Sequence, residues 1–303
     1  MSPSAGAAES GRPRFTLIIP AHNEADRLHN TVNQHQLYLE RQGIPFQIVV
    51  VDDGSTDDTA AIVRNIRSGD DRVRLISLQP RRGKGAAVYA GVKAARGAAI
   101  GFTDADLAYT PSDIGAARSR VEAGDADIVI GARDLPESTC AARYPLTRRV
   151  SAWAFSRCVS MMVLKGIADT QCGLKVFSRE AALAIFPRMT VFGFAFDVEM
   201  LALGMKRGLR IRKVPVHLAH SRASQVRLLR DSVVMFSDLA RIQRRMKSFD
   251  LAESMAAPSD VLERTACVRC GAERYDARVI ASRSDRDVLR CGHCSMRYES
   301  PRP

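Results

Sequence analysis

Two carboxylates two residues apart, Asp104 and Asp106, follow directly on an apolar run, Ala98 to Thr103. Held on a loop, such a pair offers hard oxygen ligands. It suits Mg2+ or Mn2+ with coordination positions left open for diphosphate oxygens. A second acidic stretch, Asp52-Asp53-Gly54-Ser55-Thr56-Asp57, closes another apolar run some fifty residues earlier. A carboxylate there can accept from a base N–H or a ribose hydroxyl. The same residue types also build an ordinary turn and helix cap. Between the two lies Arg81-Arg82-Gly83-Lys84-Gly85. Glycine lets backbone N–H groups approach a phosphate, and lysine adds a point charge for it. The alternative is a plain basic turn, and GxxxxGK[ST] is absent, so this is not a P-loop.

A different chemistry sits near the C-terminus. Cys267-Val-Arg-Cys270 and Cys291-Gly-His-Cys294 are two CxxC pairs separated by twenty residues. Two such knuckles on hairpin tips place four thiolates tetrahedrally, which is a closed structural Zn2+ site. A redox dithiol pair, or four unrelated cysteines, is the alternative. A module of about forty residues holds too little core to fold without metal. Cys140, Cys158 and Cys172 are scattered, and read as free and buried thiols.

The elements that must position these groups follow from periodicity. Strands are predicted over Phe15–Pro20, Phe46–Val51, Val73–Leu78, Ala98–Thr103 and Asp127–Gly131. Helices are predicted over Ala25–Gln42, Asp57–Arg67, Gly85–Arg96 and Pro111–Ala123. Alternation of this kind predicts an α/β, doubly wound sheet. Ligands of such sheets bind beyond the carboxyl ends of the strands, where both acidic stretches lie. After residue 133 the pattern turns helical (Thr147–Leu164, Arg179–Phe186, Asp197–Arg207), with a strand at Ile211–His217 and a long basic helix at Arg227–Lys247. The predicted organisation is a leader over 1–13, one catalytic domain over 14–249, a linker over 250–264 and the zinc ribbon over 265–303.

Charge is unevenly distributed. Residues 206–247 hold twelve Lys or Arg against Asp231 and Asp238, a net of +10, whereas 249–303 are neutral. Such a patch serves nucleic acid, an anionic lipid surface or a phosphorylated ligand. The first thirteen residues lack the features of a signal peptide, and no apolar run is long enough to cross a bilayer. The expectation is a cytoplasmic protein, peripheral to the inner face of the membrane.

Taken in order, IIPAHNE, VVVDDGSTDDT, RRGKGAA, FTDADLAYTPSDI, GARD, DTQCGLKVF and FAFDVEML resemble glycosyltransferase family 2 over roughly residues 14–247. The last two resemble its dolichyl-phosphate glucosyltransferase and polyprenyl-phosphate mannosyl- and glucosyltransferase branch. The resemblance implies a GT-A fold, a nucleotide diphosphate sugar donor of the UDP-glucose or GDP-mannose type, a divalent cation, and inversion at the anomeric carbon. It implies that Pro20, Ala21, Asn23, Glu24, Asp52, Asp53, Lys84 and Asp104 line the nucleotide sugar, and that Asp106 is the direct Mg2+ or Mn2+ ligand. Arg133, Arg148, Gln171 and Lys175 fall to the acceptor. Asp197, with Glu199 beside it, is a candidate base, alongside Asp104 and Asp106 as catalytic carboxylates. His22 stands where relatives often carry Tyr, and Ala108 where many mannosyl relatives carry a further metal-binding Gln. The C-terminal ribbon resembles a small module found ahead of some methyltransferase domains and implies a pathway partner.

Two acceptors remain open at this stage. A polyprenyl phosphate brings an ionised oxygen and needs no strong base, whereas a soluble hydroxyl acceptor needs a carboxylate. A reading of another class is a catalytically dead, basic nucleic-acid-binding protein with a ribbon. The near-neutral ribbon, with only Tyr275 and Tyr298 as aromatics, speaks against nucleic acid. A nucleotidyltransferase would want a glycine-rich phosphate loop after the first strand, and Ala21-His-Asn-Glu24 does not supply one.

Overall fold

The computed structural model describes residues 12–140, 156–159, 163–164, 169–193, 195–218 and 237–247, and the backbone of 277–282, 286–291 and 297–301. These fall into two compact units. One comprises the described residues within Met1–Tyr144, Gln171–Ser178 and Ile211–Ser224. The other comprises those within Pro145–Thr170, Arg179–Arg210 and Gln225–Pro303.

The first unit begins with β1 (Phe15–Ala21), α1 (Ala25–Arg41), β2 (Phe46–Asp53), α2 (Thr59–Gly69) and β3 (Val73–Leu78). It continues with α3 (Lys84–Ala94), β4 (Ala99–Phe102), α4 (Pro111–Glu122), β5 (Ile128–Ala132) and the short β6 (Thr139–Cys140). Three further strands complete it: β7 (Lys175–Ser178), β8 (Ile211–Pro215) and β9 (His217–Leu218). The main sheet has the order β3-β2-β1-β4-β7-β5-β8. Every pair in it is parallel except those of β7, which runs antiparallel to both β4 and β5.

β1 and β2 are nearly continuous apolar runs because helices cover both faces of the sheet. Phe15, Leu17 and Ile19 join the side chains of α1 and α4 (Leu28, Val32, Ile114, Val121) in one core, while Ile18 lies against α3. Fully burying each such side chain contributes about 1.5–3 kcal/mol. α4 starts sharply because its sequence caps it. The Thr110 hydroxyl accepts from Asp113 N–H, the Asp113 carboxylate accepts from Thr110 N–H, and Pro111 fills the first turn.

The chain lays β2 and β3 on one side of β1 and β4 on the other. The sheet therefore switches direction between β1 and β4, and a crevice opens beyond their carboxyl ends. The five strands and four helices of the first half follow their sequence expectation within a few residues. The sequence leaves 165–178 as an extended stretch, whereas Lys175–Ser178 is a sheet strand that separates β4 from β5. Four residues carry too little periodicity to announce it.

In the second unit, α5 (Arg179–Ile185) leads through a 3-10 turn at Phe186–Arg188 to α6 (Phe196–Lys206). α6 is buried on all sides from Phe196 to Gly204. Residues 237–247 are helical, the described part of the predicted Arg227–Lys247 helix, while most of the predicted Thr147–Leu164 helix lies outside the described residues. Three antiparallel strands, β10 (Ala277–Ser282), β11 (Arg286–Cys291) and β12 (Arg297–Pro301), form a small sheet of their own. Among the described residues, no helix is long and apolar enough to cross a membrane.

His35 on α1 is only 1% exposed, and among the described residues its Nε2 meets no hydrogen-bond partner. Burial pushes its pKa down from 6.5 to about 4. As pH falls below 6.5 the unfolded chain takes up this proton while the folded chain refuses it, so stability decreases until about pH 4. The loss expected from this group is on the order of 3 kcal/mol. Urea denaturation of the native protein and of His35→Leu across this window checks it, since the variant should show a shallower pH slope by that amount.

Candidate functional site

The crevice is built by three loops that follow β1, β2 and β4. The loop after β2 caps the helix that follows β1. Asn23 N–H donates to Ser55 Oγ at 2.9 Å, Glu24 N–H to Thr59 Oγ1 at 2.9 Å, and Ala25 N–H to an Asp57 oxygen at 3.1 Å. Asn23 returns the contact by accepting from Thr56 N–H at 2.8 Å, in a left-handed backbone conformation with φ 55°. These bonds satisfy donors at the start of α1 that its own residues leave open. The Asn23 side chain is engaged with the neighbouring loop, and Glu24 pairs with Arg27 at 2.7 Å.

Asp52 and Asp53 are both buried, at 2% and 3% exposure. Asp52 Oδ1 accepts from Ser55 N–H at 3.0 Å and closes the turn. Asp53 accepts from Arg82 N–H at 2.7 Å and from Gly83 N–H at 2.8 Å, one bond to each oxygen. Gly54 must be glycine: its φ is +68°, and a Cβ there would sit 2.9 Å from Arg81 N. The N–H groups of Arg82 and Gly83, read from sequence as a phosphate cradle, thus bind an anion belonging to the chain itself. His22 Nδ1–H donates to the Asp53 carbonyl at 2.9 Å, which directs its other ring nitrogen away from that strand end.

Asp53 thereby fixes the first residue of α3, Lys84. Its Nζ donates to Asp104 Oδ1 at 2.5 Å, both side chains being about a third exposed (39% and 32%). The other oxygen of Asp104 is pressed against Gly173, where a Cβ would lie 1.9 Å from Oδ2. Gly173 arrives there because β7 runs antiparallel beside β4, with Lys175 opposite Phe102. The loop is held by Tyr109, whose Oη accepts from Gly173 N–H at 3.2 Å. Burial pushes the Tyr109 phenol well above its ordinary pKa, so it remains neutral. Asp106 Oδ1 accepts from Ala108 N–H at 3.0 Å, and Leu107 adopts φ 55° to make this turn. Thr31 Oγ1 on α1 ties the loop down by donating to the Ala105 carbonyl at 2.6 Å.

The fit of a divalent cation rests on this donor set. Asp104 and Asp106 stand together beyond β4 as oxygen donors, which suits Mg2+ or Mn2+. Among the described residues, no group of three or more His, Cys, Asp or Glu side chains is gathered for a metal.

The residues expected at the acceptor divide. Arg133 is exposed just after β5, and Gln171 is half-buried ahead of Gly173. Arg148 lies outside the described residues. Lys175 is fully buried, donates to the Cys172 carbonyl at 2.6 Å and stands 5.4 Å over the Phe102 ring, so its ammonium is engaged within the chain. In the second unit Asp197 lies buried in the first turn of α6. Glu199 is corrected as a base candidate. One oxygen accepts from Thr190 Oγ1 and Arg245 Nη1, the other from Thr190 N–H and Val191 N–H. All four acceptor positions of the carboxylate are filled. Tyr109 and Gly173 lie inside the motifs FTDADLAYTPSDI and DTQCGLKVF, but their contact with each other and with the Asp104 loop shows only in the fold.

The profile of glycosyl transferase family 2 matches residues 16–186. A dolichyl-phosphate beta-glucosyltransferase of Dictyostelium discoideum is 33% identical over 242 residues, 76% of this chain and 74% of that one. The human dolichyl-phosphate beta-glucosyltransferase is 31% identical over 253 residues, 78% and 77% of the two chains. Among solved structures, mannosyl-3-phosphoglycerate synthase from Rubrobacter xylanophilus has a TM-score of 0.60 at 20% identity, over 95% of this chain and 89% of that one. Glucosyl-3-phosphoglycerate synthase from Mycobacterium tuberculosis, solved with Mn2+, UDP and glucosyl-3-phosphoglycerate, has a TM-score of 0.55 at 19% identity, over 97% and 89%. These two likenesses show the fold.

Because Gly173 leaves no room beside Asp104, Gly173→Ala must displace that carboxylate. A displacement on the order of 1 Å at a reacting centre costs roughly a hundredfold in rate. Turnover should fall by about that factor, measured beside a circular-dichroism melt that verifies folding. Unchanged turnover in the folded variant would remove the assigned role of the Asp104 position.

Proposed function

This chain belongs to glycosyltransferase family 2, and on that footing we propose that it moves a hexose from a nucleotide diphosphate sugar to a polyprenyl-phosphate-type acceptor with inversion. The observation that carries the reading is the pair Asp104 and Asp106 beyond β4, with Lys84 brought to it from α3, in a chain similar to dolichyl-phosphate glucosyltransferases over most of its length. The same arrangement argues against a catalytically dead nucleic-acid-binding protein.

In the proposed reaction a phosphate oxygen of the acceptor attacks the anomeric carbon from the face opposite the leaving group. The carbon–oxygen bond to the nucleotide diphosphate breaks, and its electron pair leaves with the diphosphate. Asp106, with Asp104 beside it, would hold Mg2+ or Mn2+, which when bound neutralises charge on the departing diphosphate. Lys84 adds a second positive charge there. Asp52 and the turn it closes border the nucleotide, with Pro20 and Ala21 at the end of β1. The acceptor oxygen is already ionised near neutral pH, so no strong base is required. That agrees with a Glu199 committed to structural bonds; Asp197 would matter for a hydroxyl acceptor. Arg133 and the basic stretch 206–247 suit a phosphate or an anionic lipid surface. This supports a protein acting at the membrane face without a spanning helix among its described residues.

The segment 265–303 is proposed to bind one structural Zn2+ through Cys267, Cys270, Cys291 and Cys294, and to dock a pathway partner. The support is the paired CxxC spacing and the antiparallel β10–β12, with Cys291 ending β11 opposite Ala277. Cys267, Cys270 and Cys294 lie outside the described residues.

Asp106→Ala should lower turnover by at least about a hundredfold while the fold survives, and EDTA should act alike on the native enzyme. The assay is nucleotide diphosphate release from each nucleotide sugar, with Mg2+ or Mn2+, with and without polyprenyl phosphate. Full activity of Asp106→Ala in chelator removes the metal assignment; release unaffected by polyprenyl phosphate with every donor removes the lipid acceptor. Elemental analysis of protein prepared without chelator should find about one Zn per chain, as a four-thiolate site requires. Cys291→Ser should lose it and leave the melting of the catalytic domain nearly unchanged.

A further inference from the structure

Lys84 Nζ donates to Asp104 Oδ1 at 2.5 Å. Three observations bear on what this pair does. First, it is set rather than incidental. Asp53 holds the start of α3 through Arg82 and Gly83, which delivers Lys84 to Asp104 Oδ1 at 2.5 Å. Secondly, Asp104 has no room to retreat, because Gly173 is packed against Oδ2 so closely that a single added carbon would clash. The oxygen that meets Lys84 is thus the one turned away from the Gly173 backbone. Thirdly, the pair is about a third exposed, so it can open to an incoming ligand without unfolding anything around it.

An ammonium against one of two neighbouring carboxylates cuts their joint charge from −2 to −1. A divalent cation depends on that charge, since oxygen ligands of Mg2+ or Mn2+ act chiefly through electrostatics. We propose that Lys84 is a built-in competitor for the cation: it holds Asp104 until a diphosphate arrives to take the ammonium. The cation alone then meets a half-neutralised site, and the nucleotide alone meets a lysine already engaged. Together they exchange partners, with Lys84 passing to diphosphate oxygens and Asp104 facing the cation. Binding of the two is cooperative, and by linkage each raises the affinity of the other by the same factor. This rests on the donor reading given above and deepens it. Its consequence is that the enzyme takes its cation with the nucleotide and does not carry it at rest.

The test is binding, not turnover. Free Mn2+ is followed by electron paramagnetic resonance during titration of the full chain, with and without UDP or GDP, for native protein, Lys84→Met and Lys84→Arg. An Asp104→Asn/Asp106→Ala variant gives the background of other sites. In native protein, saturating nucleotide should tighten Mn2+ binding by at least tenfold. Lys84→Met should bind Mn2+ alone about tenfold more tightly than native protein and lose most of the dependence on nucleotide. Lys84→Arg, which keeps the cation, should keep the dependence. If Lys84→Met binds Mn2+ alone no better than native protein, or keeps the full native coupling, the competitor role is overturned while the donor assignment stands. If native protein shows no nucleotide-dependent Mn2+ binding above background with either nucleotide, the donor assignment falls and this inference with it.

Discussion

The carboxylate of Asp53 accepts one hydrogen bond on each oxygen, from the backbone N–H groups of Arg82 and Gly83. The group is buried, and hydrogen bonds to a charged acceptor contribute about 1.5–3 kcal/mol each. Removing it would leave two donors to be satisfied at a buried strand end. Much else hangs on this junction. It seats Gly54 against Arg81, it starts α3, and it thereby sets where Lys84 stands. Through Lys84 it reaches Asp104, and through Asp104 the loop carrying Gly173, which the neutral Tyr109 steadies from the other side. A site assembled from four separate stretches of chain is in this way held by a handful of short contacts.

The acidic residues divide by what they face. Asp52, Asp53, Asp57 and Glu199 accept backbone N–H groups and are parts of the frame. Asp113 caps α4 and also accepts from His217 N–H and Nδ1, joining the start of that helix to β9. Asp104 and Asp106 occupy the loop beyond β4, at the crevice where the sheet changes direction. Glu199, with four donors, has its acceptor positions filled, whereas Asp52 and Asp53 accept one and two backbone N–H groups and keep acceptor capacity. Asp106 accepts from Ala108 N–H and Asp104 from Lys84 Nζ, both on the loop beyond β4. For a transferase acting on an ionised phosphate, which needs charge neutralisation more than proton removal, two carboxylates and a lysine suffice for the core of the chemistry.

The elements of the first half were legible in the sequence because their information is local. Alternating apolar runs gave β1 to β5 and α1 to α4, because burial on both faces of a parallel sheet leaves an unmistakable pattern. The doublet Asp104, Asp106 lies at the end of a strand whose apolar run points to it. Family motifs in a fixed order then supplied the chemistry. Reading failed where the same residue types serve two purposes. Gly83 beside basic residues suits a phosphate, and only the fold shows that Asp53 fills that cradle.

What the tertiary structure alone decided is pairing across long stretches of chain. Gly173 meets Asp104 from 69 residues away because β7 inserts antiparallel between β4 and β5, a register that four residues cannot encode in their own pattern. Lys175, which the motif offered to an acceptor, is enclosed by that same insertion. Glu199, which the sequence could not tell from a base, is committed by Arg245 from 46 residues further on. Local periodicity fixes which face of an element is buried, but which charged group meets which is set by packing between elements distant in the chain. That packing decides here which donors each carboxylate meets.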